Sequence, residues 1–193
     1  MATLPIGITN ARTIMLEALI TSKTRIKLML KFFLNTSARG YLRGLETEFG
    51  ESTNAIRLEL NRFEQAGLLT SSTDGMRKMF QANTSHPLFA DINSLVRKYV
   101  GMDDIIETVV HQLGDLHEVY LIGDLAAGID GPDLSLLIVG NNIDLDYLEK
   151  LCAKAQKLVS RTLGYVVFSI DEFARQQPFL NKDKLLLVWK YEG

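Results

Sequence analysis

The sequence predicts an α+β chain of two domains, and three observations carry the prediction. Three amphipathic helical segments lead into two short extended runs joined by Asp74-Gly75; a later stretch alternates strand with helix; and the two halves differ in charge. A length of 193 residues holds one large domain or two small ones. The expected division falls near Gly101, giving an N-terminal domain over 1–100 and a C-terminal domain over 101–193. The first carries 13 Lys and Arg against 8 Asp and Glu and the second 8 against 15, so the net charge of -2 conceals +5 and -7. A basic half joined to an acidic one points to a polyanionic partner for the first. The rival explanation is chance clustering of solvated charges.

At 47% hydrophobic and 23% charged, the composition excludes disordered and fibrous classes. The longest apolar runs, 134–139 and 185–189, fall far short of the ~18 residues of a membrane span. The N-terminal residues lack the basic and apolar regions of a secretory leader, so the expected compartment is the cytoplasm and no membrane contact is expected. Cys152 is the only cysteine, which excludes an intrachain disulfide and a thiolate cluster. It falls in the apolar stripe of a predicted helix and reads as core. His86, His111 and His117 show no paired-ligand spacing and read as surface or capping residues. Neither metal nor cofactor is expected.

Ser22 can cap a first helix with Ile26, Leu28, Met29, Leu30, Phe32 and Phe33 on its apolar side, while Lys23, Lys27 and Lys31 form a stripe at every fourth residue. A second helix over 41–49 stops at Gly50. Residues 51–53 cap a third, in which Ile56, Leu60 and Phe63 share a face and Gly67 marks the end. Two strands, 68–72 and 76–82, then flank a turn at 73–75. Three helices followed by a hairpin are the elements of a winged helix-turn-helix, whose third helix enters the major groove of DNA. Thr53, Asn54, Arg57 and Asn61 would then read bases, because Arg matches a guanine edge and Asn an adenine edge through paired hydrogen bonds. Lys23, Arg25, Tyr41, Arg43, Arg77 and Lys78 would hold phosphates. The alternative use of such a module is protein docking, with Arg57 and Asn61 merely solvated.

Residues 19–101 resemble the winged-helix domain of arsenic-repressor-type (ArsR-like) transcriptional regulators. The likeness rests on Ser22-Lys23-Thr24-Arg25-Ile26-Lys27, on 54–60, on Phe63-Glu64-Gln65-Ala66-Gly67-Leu68-Leu69 and on 83–88. It implies a homodimer on double-stranded DNA, and the apolar Ile14, Leu16, Leu19 and Ile20 suit a helix contact between copies or packing within one chain. No cysteine or histidine lies on the three helices, so the metal-sensing chemistry of some members is not expected.

In the second half, Pro87 opens a connecting helix and 103–113 makes another. Strand 118–122, strand 134–139, helix 144–161 and strand 165–170 follow, predicting a mixed central sheet. In the long helix Leu145, Leu148, Leu151 and Cys152 face inward and Arg161 outward. Residues 121–140 resemble the signature of minimal nucleotidyltransferases, in which a strand ending Gly-Ser is followed by one beginning Asp-x-Asp. Two carboxylates two residues apart on a strand share a side and can hold Mg2+ against nucleotide phosphates. The chain keeps Gly123 and Asp133, but Asp124 replaces the serine and Ser135 the second carboxylate. A hydroxyl balances no cation charge, and Asp124 sets negative charge beside the phosphates. With 165–173 and 178–180, the likeness extends to regulators that pair an ArsR-like winged helix with a nucleotidyltransferase-like domain. The expected function is sequence-specific DNA binding in transcription regulation. The C-terminal domain is expected to be an inactive pseudoenzyme serving dimerisation, partner contact or sensing of a small-molecule or nucleotide ligand. The alternatives are an active nucleotidyltransferase and an antitoxin-like interaction module.

Overall fold

A computed structural model describes residues 18–113 and 115–191. Its described residues form a mixed α/β structure with two sheets and seven α-helices. The Ser22 hydroxyl accepts the Arg25 backbone N–H at 3.2 Å and so caps α1 (Lys23–Met29). Rather than continuing as α, this helix widens into a π turn, Leu30–Leu34. The expected lysine stripe is not a solvated face: Lys27 Nζ donates to Phe49 O and Glu51, and Lys31 is buried. Of the apolar positions before α1, Ile14 and Leu16 lie outside the described residues, Leu19 is exposed and Ile20 packs against the core.

β1 (Gly40–Tyr41) is too short to have left a sequence pattern. α2 (Leu42–Phe49) ends at Gly50, and α3 (Thr53–Gln65) is capped by Ser52, whose hydroxyl accepts the Ala55 N–H. β2 (Leu69–Asp74) and β3 (Arg77–Ala82) form the hairpin. Asp74 pairs with Arg77, so the turn is Gly75-Met76 rather than 73–75. Gly75 takes φ +59°, which tight two-residue hairpin turns demand and glycine adopts without strain. The sheet order is β1-β3-β2.

α4 (Phe89–Val100) begins two residues after Pro87, where His86 Nδ1 accepts the Leu88 N–H. It meets α5 (Met102–Thr108) at Gly101, and a 3-10 turn, Val110–Gln112, completes what the sequence presents as one helix. β4 (Leu116–Ile122), β5 (Asp133–Gly140), β6 (Thr162–Phe168) and β7 (Leu185–Lys190) form the second sheet in the order β6-β5-β4-β7. β5 and β6 are parallel through the crossover helix α6 (Leu145–Gln156), and the other pairs are antiparallel. α7 (Ile170–Gln176) opens with a Ser169/Glu172 capping box.

Two inward–outward expectations in α6 and after it are reversed. Leu145, in the first turn, is exposed, whereas Arg161 is 9% exposed. The Arg161 Nη2 donates to Asp130 Oδ1 at 2.8 Å, its Nη1 donates to Gly131 O, and its guanidinium faces the Tyr99 ring. A charge this far from water persists because a carboxylate and a carbonyl meet it.

The two sheets share one apolar interior. Leu28, Phe32, Phe33, Ile56 and Leu60 from the first half belong to the same buried cluster as Met102, Ile105, Leu134, Leu136, Ile138 and Val159. On the opposite face of the second sheet, Tyr120, Leu137 and Val139 pack on Phe173, with the Tyr120 and Phe173 ring centroids 5.1 Å apart. Polar contacts reinforce the junction: Lys31 Nζ donates to Ala127 O at 3.0 Å and to Glu48, and Asn35 Nδ2 donates to Ala126 O at 2.9 Å.

Candidate functional site

α3 divides its residues between two sides. Ile56, Leu60 and Phe63 are buried, and Glu59, also buried, accepts hydrogen bonds from Arg25 Nε (2.9 Å), Arg62 Nη1 (2.9 Å) and Ser22 Oγ (3.2 Å). Asn54, Leu58, Arg57, Asn61 and Gln65 point to solvent. The hairpin leans beside this exposed side and leaves a groove of about 780 Å³ lined by Tyr41, Arg43, Arg57, Asn61, Arg77 and Lys78.

The structure thus brings together six of the ten expected DNA-contacting residues. Asn54 lies beside them, its Oδ1 accepting Arg57 Nη1 at 3.3 Å. Thr53 is half-buried in the first turn of α3. Lys23 and Arg25 do not line the groove: Lys23 is exposed at the start of α1, and Arg25 is engaged by Glu59 on the side of α3 away from the groove. Within the groove, the Arg77 guanidinium lies 4.7 Å from the Tyr41 ring centroid, an arrangement that orients the cation and leaves its edge N–H groups able to donate. Lys78 differs, because its Nζ is 2.7 Å from Glu64 Oε2. That hydrogen bond and another from Ser71 hold the Glu64 carboxyl below its ordinary value.

Leu58 and Gln65 are additions to the sequence reading. Asn54, Leu58, Asn61 and Gln65 recur at helical spacing, so a helical projection of α3 carries the signal. An exposed Leu can touch a thymine methyl and a Gln an adenine edge. Arg39, whose Nη2 donates to Ser72 Oγ at 3.0 Å, carries no comparable signal.

The second constellation lies where β4 gives way to β5. Gly123 takes φ +82°, and its N–H donates to Lys184 O at 3.1 Å. Asp124 Oδ1 accepts Lys184 Nζ at 2.7 Å. Asp133 is exposed at the start of β5, and Ser135 is half-buried on the same side of that strand, opposite Ile122 and Gly164. On β6 the residues in register on this side are Thr162, Gly164, Val166 and Phe168. The loop between Gly123 and Asp133 runs into the junction with the π turn that follows α1. Leu125, Ala126 and Ala127 are buried there, and two of their carbonyls accept from Lys31 and Asn35. Of the loop carboxylates, Asp130 meets the buried Arg161, and Asp124 forms an exposed ion pair with Lys184. Among the described residues, no group of three or more His, Cys, Asp or Glu side chains is placed to hold a metal ion. Cys152 is buried, and burial pushes its thiol up to about 11. No helix among the described residues is long and apolar enough to cross a membrane.

No family model matches the chain, and no curated protein matches it. Among solved structures, reduced HlyU from Vibrio cholerae is similar over 46% of this chain and 87% of its own, with 12% identity and a TM-score of 0.34. A protein from Sulfolobus solfataricus assigned provisionally as a nucleotidyltransferase is similar over 47% of this chain and 78% of its own, with 23% identity and a TM-score of 0.34. Neither likeness carries an argument about function, which has to be read from the groove and the loop themselves.

Proposed function

We propose that the chain is a sequence-specific transcriptional regulator that binds double-stranded DNA as a homodimer. Its 101–193 region is a nucleotidyltransferase-like unit that transfers no nucleotide and serves dimerisation, ligand sensing or partner contact. The observation that carries the DNA reading is the groove between α3 and the hairpin, where Arg43, Arg57, Arg77 and the tip of Tyr41 converge beside Asn61. Guanidinium groups on both walls suit phosphates, and a helix face of Arg and Asn suits base edges. The test is Arg57→Ala, with binding measured on a duplex selected from a randomised pool and on a scrambled duplex. Loss of about 1–3 kcal/mol on the selected duplex, with little change on the scrambled one, is the expected result. Equal loss on both would move Arg57 to the phosphate contacts.

The charge at the site supports the absence of transfer. Two-metal phosphoryl chemistry needs several carboxylates free to hold cations. Here Ser135 accompanies Asp133, and the two loop carboxylates are paired with Lys184 and Arg161. Incubation with each labelled nucleoside triphosphate and Mg2+ or Mn2+ is expected to label neither protein, nucleic acid nor small acceptors above an Asp133→Asn control. Labelling that disappears in that control would establish an enzyme.

A further inference from the structure

We propose that Glu64 is a positioning residue that sets the specificity of DNA reading, by tying the hairpin to the reading helix and by holding Lys78 away from phosphates. The proposal rests on the DNA reading above. Glu64 lies two turns along α3 from Arg57 and one turn from Asn61, on the same side of the helix. Its Oε1 accepts Ser71 Oγ at 2.6 Å and its Oε2 accepts Lys78 Nζ at 2.7 Å. Ser71 belongs to β2 and Lys78 to β3, so one carboxylate grips both strands of the hairpin. Leu69, Phe80 and Ala82 seat one side of the hairpin in the core, but every β2 position after Leu69 is exposed, so polar contacts such as this grip supplement that packing in setting the angle of the outer hairpin to the helix. Arg77 on Tyr41 and Arg39 on Ser72 join the hairpin to β1 and its approach, not to α3.

The two actions of Glu64 move specificity in the same direction. A specific complex requires base contacts from α3 and phosphate contacts from the hairpin together, whereas a non-specific complex forms on phosphate contacts alone. Loosening the hairpin therefore weakens the specific complex. Freeing Lys78 adds a phosphate contact wherever the protein lands, which strengthens the non-specific one. An exposed ion pair contributes only about 0–1 kcal/mol to folding, so the fold survives its loss.

Fluorescence anisotropy over a salt series, with the full chain, tests this on a duplex selected by the wild type from a randomised pool and on a scrambled duplex. Glu64→Gln is expected to lower the ratio of selected to scrambled affinity about tenfold. It is also expected to steepen the logarithmic salt dependence on the scrambled duplex by about 0.9, the signature of one added phosphate contact. Lys78→Ala should leave that slope nearly unchanged in the wild-type background and remove the gain in the Glu64→Gln background. Unchanged ratio and slope in Glu64→Gln would overturn the proposal, as would equal weakening on both duplexes accompanied by a lower unfolding temperature. If the wild type retains no duplex from the pool, the DNA reading itself fails; if it selects one and Glu64→Gln is indifferent, only the role of Glu64 does.

Discussion

Replacing Gly128 by alanine is expected to destabilise the protein by about 2–5 kcal/mol, combining the strain of a left-handed backbone with overpacking of a closed contact. Gly128 takes φ +77°, and a Cβ there would overlap the Lys31 Cα and stand 3.0 Å from Leu30 O. These neighbours are backbone atoms of the π turn, so no side-chain rotation relieves the clash. The 125–128 segment must separate from the π turn, and the bonds from Lys31 and Asn35 to the Ala127 and Ala126 carbonyls are lost with it. For a chain of this size the unfolding temperature should fall by about 10 °C. Gly131→Ala is the control, since open space surrounds that position and near-neutral behaviour is expected. Equal melting of the two variants in calorimetry would show that the 125–128 segment can leave the π turn without loss.

The second large effect concerns acid. Burial by itself raises the Glu59 carboxyl, but the Arg25 hydrogen bond and charge, the Ser22 hydrogen bond and the Arg62 charge outweigh it, leaving the group below its ordinary 4.5. A carboxyl lowered on folding stabilises the native state fully above its unfolded value, and that contribution disappears as pH falls through the folded one. Stability should therefore decline from about pH 5 downward. Glu59→Gln should begin lower at neutral pH, by about 2 kcal/mol, because hydrogen bonds to a charged group are lost. It should also decline less steeply, with the residual slope coming from carboxyls such as Glu118, which Lys190 and Tyr120 lower against burial. Denaturant midpoints from neutral to acidic pH measure both quantities. Parallel curves for wild type and variant would show that Glu59 is protonated alike in the folded and unfolded states.

α3 was legible because every device that makes it is local: Ser52 before it, Ile56, Leu60 and Phe63 at helical spacing, and Gly67 just beyond it. The hairpin was legible for the same reason, although β2 runs two residues further than expected because Thr73 and Asp74 still pair. Gly40-Tyr41 is too short for any periodicity. β7 has none to show, since Leu185-Leu186-Leu187-Val188-Trp189 presents apolar groups to both faces. The misplaced cations have a different cause. Lys31 and Arg161 turn inward to partners 96 and 31 residues away, and nothing near either position announces those partners. Arg25 did have a local clue in retrospect, because Glu59 falls on the apolar side of α3, where a carboxylate requires a cation. In the second constellation the identities of Gly123, Asp124, Asp133 and Ser135 were readable. The burial of the loop between them against the π turn depends on the tertiary fold alone.

The interior shared by Phe32, Phe33, Met102, Ile105 and Val159 bears on how such a chain changes over time. Val159 alone shows the constraint: a Cβ on Gly101 would overlap it, so the link between α4 and α5 and the end of the crossover region must vary in step. The groove-bearing part is therefore not a cassette that recombination can lift out and set beside a new partner. Substitutions at positions such as 105 or 159 alter the same buried interior that holds Ile56 and Leu60 of α3. Under the proposed DNA reading, new sequence preferences would be reached more easily through the exposed positions 54, 58, 61 and 65, which the shared interior leaves free to drift.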